Sequence, residues 1–250
     1  MTPITLDEPE VYFDRLAAFE ATHWWSAATW RVAEHWLGAR LRGRTGLEAI
    51  DVGCGAGLTL QRLAARGEIG QVIGIDPSPE ALGHARRRGY RVVEASATDL
   101  PFGAGSFDVA TCLDVIQHLP QGDIASATRE LARVLRPGGL AIVRTNAGQG
   151  GVDLEQLRAR FESHGLQVLH ASRVNFVGSL AQEVRGRLRP SMHRHHPRGG
   201  GLPRPHRRSA TDPIMATLGR AEAFLVGGLG WALPFGHSAM VLAIRDHPTG

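Results

Sequence analysis

Apolar runs of strand length alternate with segments of helical spacing over most of the chain. The apolar runs lie at 47–53, 71–76, 90–96, 107–114, 139–146, 166–172 and 238–245. Helical spacing fills 57–66, 79–88, 122–135 and 153–164. Strands that are apolar almost throughout are typical of a parallel sheet buried between two layers of helices. The pattern therefore predicts an α/β fold with a doubly wound, mostly parallel sheet.

The flanking segments also have helical spacing. Residues 10–42 predict two helices that end near Gly43, and further helices are expected at 174–188 and 211–227. The apolar stretch 223–235 is expected to pack onto the sheet rather than to cover a ligand. We divide the chain into an N-terminal helical cap (1–46), a core (47–172), a helical insertion (173–237) and a final core strand with a tail (238–250).

The composition is that of an ordinary globular protein. Of the 250 residues, 43% are hydrophobic and 21% are charged, which argues against global disorder. The only cysteines are Cys54 and Cys112, so we expect no disulfide framework, and a reducing cytoplasm fits. No uninterrupted apolar run reaches the roughly 18 residues that a membrane span needs, and the N-terminus lacks the pattern of an export signal.

The positive charge is concentrated in one segment. The formal net charge is +4, but residues 185–208 carry eight arginines, four histidines and no acidic residue, which leaves the remaining chain at −4. The fold itself is therefore not basic. Residues 189–209 have too few apolar side chains to offset the entropy of ordering them, so we expect this stretch to be mobile.

The same segment raises the question of partners. It could meet phosphate groups or an anionic lipid surface, but it lacks the interleaved aromatic residues of a nucleic-acid module, so no nucleic-acid partner is expected. Contact with lipid stays open. His193, His195 and His196 have no cysteine or carboxylate companions at zinc spacing, so we expect no metal site.

A glycine-rich turn follows the first predicted strand. The residues from Asp51 to Gly57 read DVGCGAG, and glycines at alternate positions allow a sharp turn and a close approach to a ligand. The helix that follows offers free N–H groups to an anionic group. A tight turn without a ligand is the alternative. A dinucleotide fingerprint needs G-x-G-x-x-G, whereas Leu58 breaks that spacing, which weighs against NAD(P).

Acidic residues stand at the ends of the strands that follow this turn. Asp76 ends the second strand about 20 residues beyond the glycines, where a carboxylate can accept both hydroxyls of a ribose. Capping of the turn before Pro77 is an equally good explanation. Asp99 follows the third strand and could accept the amino group of an adenine, and Asp114 ends the fourth strand beside the same cleft.

Five motifs, in this order, resemble those of the class I methyltransferases that depend on S-adenosylmethionine (SAM), in particular the small-molecule and quinone group. They are DVGCGAG (51–57), VIGIDPS (72–78), ATDLPF (97–102), FDVATCLDVIQHL (107–119) and LARVLRPGGLAIV (131–143). The motifs cover 47–146 almost continuously, and the resemblance is weak in the flanks. It implies a Rossmann-like, seven-stranded sheet whose last strand, 238–245, runs antiparallel.

The resemblance also implies which residues bind the cofactor. The set is Asp51, Gly53, Cys54, Gly55, Gly57, Asp76, Pro77, Thr98, Asp99, Leu100, Leu113 and Asp114. The glycine turn would surround the methionine moiety, whose amino end would lie near Leu113 and Asp114. Asp76 would hold the ribose, the residues after it would border the adenine, and Asp99 would accept the adenine amino group.

The acceptor side has one candidate catalytic residue. His118 lies just past the fourth strand, at a position that faces the cleft in similar proteins, and histidine titrates near neutral pH, so it is our candidate general base. A structural histidine before Pro120 is an equally good explanation. Gln117 stands where many relatives carry glutamate, and glutamine can serve neither as a base nor as a good metal ligand.

Aromatic residues cluster before the glycine turn. His23, Trp24 and Trp25 resemble an aromatic pair that precedes this turn in some of these methyltransferases. The first arginine after them is Arg31, and an arginine in this region could pair with the SAM carboxylate. We favour the other explanation, in which the tryptophans between 24 and 36 belong to the core of a capping helix.

These observations lead us to expect a SAM-dependent methyltransferase that acts on a small organic acceptor, such as a secondary metabolite or a quinone-like compound, at oxygen. Methylation of RNA or protein through the arginine-rich segment, and SAM binding without catalysis, remain alternatives. An NAD(P)-dependent enzyme is the remaining one. The sequence leaves the oligomeric state open.

Overall fold

The structure, a computed structural model, describes residues 23–146, 152–180 and 212–246. The strands are β1 (Leu47–Val52), β2 (Ile69–Asp76), β3 (Arg91–Glu94), β4 (Phe107–Leu113), β5 (Leu135–Asn146), β6 (Leu166–Val174) and β7 (Ser238–Arg245). The helices are α1 (Trp24–Leu41), α2 (Leu58–Ala64), α3 (Pro79–Arg87), α4 (Asp123–Val134), α5 (Leu154–Ser163) and α6 (Asp212–Ala223).

These strands form one seven-stranded sheet in the order β3-β2-β1-β4-β5-β7-β6. Strands β1 to β5 pair in parallel, and β7 runs antiparallel to both β5 and β6. This confirms the predicted doubly wound, mostly parallel sheet with an antiparallel last strand. The direction of winding reverses between β1 and β4, and crevices at such a reversal are where ligands bind in α/β sheets.

Helices cover both faces of the sheet, as the apolar strands predict. On one face, α4 and α5 contribute Ile124, Leu131 and Phe161 to the larger apolar cluster. On the other face, α1 contributes Trp36 and Leu37 to a second cluster. Strand β4 is buried along almost its whole length because it lies at the centre of both layers.

The start of β5 differs from the prediction. The helix was expected to reach 135 and the strand to begin after Pro137, but α4 ends at Val134 and Leu135 already pairs with Phe107 of β4. Pairing resumes at Leu140, because proline lacks the N–H that a ladder requires and Gly138 adopts a φ of +76°.

The tryptophans of α1 fit the core interpretation in part. Helix α1 begins after His23, whose Nδ1 accepts a hydrogen bond from the backbone N–H of Trp25 at 3.2 Å. Trp30 and Trp36 are buried in the core, whereas Trp24 and Trp25 are half-buried. The first of the two helices predicted in 10–42 lies mostly outside the described residues.

The apolar stretch before β7 is the main correction. Helix α6 continues into a π-helical turn at Phe224–Gly228, so the predicted helix at 211–227 is confirmed. Packing of the whole stretch 223–235 onto the sheet is wrong, because Val226 and Leu233 pack inward while Trp231 is 57% exposed and Phe235 is 67% exposed.

The helix expected at 174–188 begins later than predicted, because Val174 ends β6 and Asn175 has a φ of +67°. Residues 176–180 are helical, and residues 181–188 lie outside the described residues, as do the stretch 189–209 and the histidines between 193 and 196. Among the helices that the structure describes, none is long and apolar enough to cross a membrane. The division of the chain into cap, core and insertion remains a prediction.

Candidate active site

The glycine turn between β1 and α2 has the backbone geometry that only glycine adopts readily. Gly53, Gly55 and Gly57 have φ values of +75°, +51° and +89°. The N–H groups of Gly53 and Cys54 both donate to the carbonyl of Ile75 at 2.8 Å, which ties the turn to β2. These positive φ values explain the alternate glycines without reference to a ligand.

The space around each glycine of the turn shows which of them face neighbouring side chains and which face solvent. A Cβ on Gly53 would lie 2.1 Å from the Val115 side chain, so this glycine is also required by packing. A Cβ on Gly55 would meet nothing within 4 Å, so the crest of the turn faces open space. The turn therefore presents its backbone to whatever binds at the carboxyl ends of the strands.

Asp76 joins the end of β2 to this turn. Its Oδ2 accepts a hydrogen bond from the backbone N–H of Gly55 at 3.0 Å, and its Oδ1 accepts one from the N–H of Ser78 at 2.9 Å. The capping explanation is therefore correct for this carboxylate. Each oxygen keeps a further lone pair, so the same side chain can still accept ribose hydroxyls.

Asp51 lies beneath the turn. It is 2% exposed, and its Oδ1 accepts a hydrogen bond from the Thr111 hydroxyl at 2.6 Å. The carboxylate thus links β1 to β4 at the point where the sheet reverses its winding. Its expected place beside the methionine moiety remains a prediction, with this hydrogen bond as its observed role.

The loop after β3 is held in place from α4. The N–H of Leu100 donates to Glu130 Oε2 at 2.8 Å, and Arg133 donates to the Leu100 carbonyl at 2.9 Å. Within this loop Leu100 is buried and Asp99 is exposed, so the Asp99 carboxylate is available to a ligand. Sequence reasoning missed Glu130 and Arg133, because an acid and an arginine three positions apart on a helix resemble an ordinary surface pair.

Hydrogen bonds from Arg133 lower the pKa of the Glu130 carboxyl, and they do so more strongly than burial of that carboxyl raises it. The carboxylate therefore stays ionised at neutral pH. In return, the hydrogen bond and charge of Glu130 raise the pKa of the Arg133 guanidinium. The loop expected to line the adenine pocket is thus supported by a fixed ion pair.

The end of β4 is fixed by a second ion pair. Asp114 has a φ of +60°, and its carboxylate accepts hydrogen bonds from the Nε and Nη2 atoms of Arg144 near the end of β5. The Arg144 side chain is 9% exposed and also donates to Thr29 of α1. Its guanidinium lies 4.4 Å from the centre of the Trp25 ring, a cation–π arrangement.

Arg144 is a second residue that sequence reasoning missed. It is the arginine that meets Trp25, whereas the sequence directed attention to Arg31. The only available signal was its position, because it is a charged residue in an otherwise apolar strand. Since Asp114 already receives two hydrogen bonds from Arg144, its contact with a methionine amino group would rely on its remaining lone pairs or its backbone carbonyl.

Gln117 and His118 form the short turn after β4, at Ile116–His118. The Gln117 Oε1 accepts hydrogen bonds from the Thr145 hydroxyl at 3.1 Å and from the Asn146 N–H at 3.3 Å. The His118 side chain is exposed, and its backbone N–H donates to the Val115 carbonyl at 2.9 Å. The glutamine therefore attaches this turn to β5, and the histidine stands at the surface beside it.

The two cysteines offer no nucleophile. Cys54 and Cys112 are free and buried, and burial raises the pKa of both thiols, with Asp51 adding to the effect. Both thiols are therefore protonated at neutral pH. In the described part of the chain, no group of three metal-ligating side chains comes together.

Comparison with known proteins shows a similarity over the core of the chain. A model described as "Methyltransferase domain" matches residues 50–143, which include the glycine turn, Asp76 and the end of β4. This part of the chain is therefore similar to a methyltransferase domain. One solved structure with a similar fold, the phosphoethanolamine N-methyltransferase 2 of Haemonchus contortus, is in complex with SAM, with a TM-score of 0.54 and 18% identity.

The curated relatives resemble this chain over the core only. An uncharacterized methyltransferase of Mycobacterium sp. (strain JLS) is 39% identical over 114 residues, 45% of this chain and 44% of the relative. The ubiquinone biosynthesis O-methyltransferase of Aromatoleum aromaticum is 37% identical over 113 residues, 42% of this chain and 47% of the relative. The chain therefore spans less than half the length of these curated relatives.

A solved structure shares the fold. It comes from the complex between the Haloferax volcanii Trm112 methyltransferase activator and a methyltransferase, with a TM-score of 0.62 and 20% identity. The match covers 99% of this chain and all of the other. At this identity the likeness supports the fold and not a shared substrate.

Proposed function

We propose that this protein transfers the methyl group of SAM to an oxygen atom of a small organic acceptor. One observation carries the proposal: the glycine turn, Asp76 and the exposed Asp99 all lie at the carboxyl ends of neighbouring strands, beside the reversal between β1 and β4. This is the arrangement that a nucleoside-bearing ligand requires.

The residues present fit the cofactor. The open space over Gly55 leaves room at the backbone, and the spare lone pairs of Asp76 suit ribose hydroxyls, while Asp99 offers an acceptor for an amino group. The bound cofactor supplies an activated methyl group on a sulfonium. The chain's own contribution is then to hold both partners in line and to exclude competing contacts.

On the acceptor side, His118 is proposed as the general base. Its side chain is exposed on the turn that Gln117 fastens to β5, so the ring can meet a hydroxyl group that enters from solvent. Removal of that proton would increase the nucleophilicity of the acceptor oxygen. The name of the Aromatoleum relative supports oxygen as the methylated atom, over the part of the chain that the two proteins share.

The alternatives are less well supported. Gln117 has a structural role in the turn, so the absence of glutamate there is not in itself a sign of lost catalysis. RNA or protein methylation was suggested by the arginine-rich segment, which lies outside the described residues. The two free thiols fit the cytoplasm as the proposed location.

Calorimetry with S-adenosylhomocysteine and with NAD(P)H tests the cofactor. We expect binding of the first and no heat from the second. The Asp76→Ala variant should bind S-adenosylhomocysteine more weakly by about 1–3 kcal/mol, because the ribose loses its acceptor and Gly55 loses its partner.

Glu155→Ala, an exposed carboxylate at the start of α5, is the matched control and should bind normally. Equal affinity of the Asp76→Ala and wild-type proteins would show that the ribose is not where we place it. Binding of NAD(P)H in preference would contradict the proposal as a whole.

A further inference from the structure

Exposed large apolar side chains are concentrated in one short part of this chain. Of the seven in the described residues, six fall between 214 and 235. We call this set the apolar rim: Ile214, Leu218, Phe224, Leu229, Trp231 and Phe235. Single exposed apolar residues are normal on a protein surface, but a cluster of this size marks an interaction site.

The rim is held rigidly in place. The N–H of Leu229 donates to the Phe224 carbonyl at 3.0 Å, and that of Trp231 donates to the Leu225 carbonyl at 3.0 Å, so the loop folds back on the π-helical turn. Two residues further on, Leu233 packs into the core, and its N–H donates to the Ser172 hydroxyl at 3.0 Å. Trp231 and Phe235 therefore project on either side of a fixed anchor.

The charges around the rim point to one kind of partner. Between Pro213 and His237 the charged residues are Arg220, which is exposed, and Glu222, which is buried and accepts hydrogen bonds from backbone N–H groups. Asp212, at the start of α6, is half-buried, and Glu34 of α1, which packs against α6, is exposed. The sequence that leads into α6 adds eight arginines and no acidic residue between 185 and 208.

We propose that the apolar rim binds the surface of a lipid bilayer that carries anionic head groups. Tryptophan and phenylalanine on a fixed loop insert into the interface between head groups and acyl chains, and arginine at the edge attracts the negative surface. The protein lies on the membrane, with no described helix that could span it. This inference does not depend on the methyl-transfer reaction.

The rim lies toward the same end of the sheet as the candidate active site. Leu233 bridges to Arg173 near the end of β6, and the strand that follows starts at Ser238, opposite Asn146 of β5. The rim thus lies near the carboxyl ends of β5 and β6. A protein docked through it presents this edge near the lipid surface.

Vesicle co-sedimentation in the absence of SAM tests the proposal. The full chain should bind vesicles of phosphatidylcholine with about one third phosphatidylglycerol and should bind pure phosphatidylcholine vesicles weakly. The double variant Trp231→Ser, Phe235→Ser should lose at least about tenfold in partitioning onto the mixed vesicles.

A charge reversal tests the electrostatic part with a matched control. Arg220→Glu should lower partitioning onto the mixed vesicles at least about fivefold. Arg129→Glu makes the same change at an exposed site on α4, which covers the opposite face of the sheet, and should stay within about twofold of wild type.

Three results would overturn the inference. They are absence of wild-type binding to the mixed vesicles, equal binding by the Trp231→Ser, Phe235→Ser variant, and a lipid-free dimer that this variant converts to a monomer. A marked fall in melting temperature of the variant would likewise show that the chain itself covers the rim. Normal calorimetric binding of S-adenosylhomocysteine by the same variant keeps this test separate from the proposed reaction.

Discussion

His118 and Gln117 are neighbours in sequence but have different roles in the structure. The Gln117 Oε1 accepts hydrogen bonds from two donors on β5, whereas the His118 side chain is exposed just after the carboxyl end of β4. A residue fastened on two sides serves as a support. A residue exposed beside the carboxyl ends of the strands is available for proton transfer.

We expect His118→Ala to lower turnover by about 100-fold with little change in SAM affinity, because the ring acts on the acceptor and not on the cofactor. Initial rates and calorimetry measure the two effects separately. His164→Ala, just after α5 and away from the carboxyl ends of the strands, should keep the wild-type rate. An unaltered rate in His118→Ala would remove this histidine from the mechanism.

Among the elements, α1, β4 and β5 meet at Arg144. Its guanidinium donates to Asp114 after β4 and to Thr29 of α1, and it lies against Trp25 of the same helix. Because the Arg144 side chain is 9% exposed, these partners replace the water that its charge gives up on burial. The helix before the glycine turn is thereby fixed to the carboxyl ends of β4 and β5.

Arg144→Gln should reduce the free energy of unfolding by about 2–4 kcal/mol, since it leaves Asp114 without its partner. In a double-mutant cycle with Asp114→Asn, urea unfolding should give a coupling energy of at least about 1 kcal/mol. The more exposed pair of Arg173 and Asp153 is the control and should show weaker coupling. Additive losses for Arg144 and Asp114 would argue against the ion pair as the link.

The loop after β3 depends in the same way on α4. Glu130→Gln should reduce the free energy of unfolding at pH 7 by about 1–3 kcal/mol, because Arg133 loses a charged partner. The pKa of Glu130 is lowered in the fold, so its contribution is complete at neutral pH and is lost as the pH falls through the lowered pKa.

The difference between wild type and Glu130→Gln should therefore be constant near neutral pH and shrink below about pH 4. Urea unfolding at several pH values measures it. Glu162→Gln breaks the exposed pair with Arg158 and should cost less than about 1 kcal/mol. A difference that persists unchanged at low pH would mean that the ionised form of Glu130 is not what stabilises the loop.

For the whole molecule, the charge distribution bears on whether the substrate is a nucleic acid or a small molecule. The segment 185–208 carries a charge of +8 beside a remainder of −4. A nucleic-acid enzyme would use such a segment to contact phosphates, with strong dependence on salt. A small-molecule enzyme has no need of it for turnover.

Deletion of 189–208 should leave turnover of a water-soluble acceptor within about threefold of wild type, with no steep dependence on salt concentration. Rates between low and moderate salt measure this directly. Loss of all activity on deletion, with salt-sensitive binding of RNA by the full chain, would instead favour the nucleic-acid alternative.

The sequence by itself determined the order and type of the core elements. The central strands are apolar on both faces and the helices have a period of their own, so local pattern was sufficient to place all seven strands, although β2 and β3 have exposed positions. The glycine turn was equally visible, because positive φ values at 53, 55 and 57 leave few other residue types. The prediction from sequence was wrong at the start of β5 and in 223–235, because strand pairing and tertiary packing override local preference there.

Only the tertiary structure decided which long-range contacts join the core elements and which side chains are exposed. Glu130 and Arg144 act on partners about 30 residues away in the chain, and no local period records such a pairing. Burial is likewise a property of the assembled layers, so Val226 and Trp231 could not be distinguished by hydrophobicity alone. Periodicity specifies which elements form, and long-range contacts specify which of their side chains reach each other or the solvent.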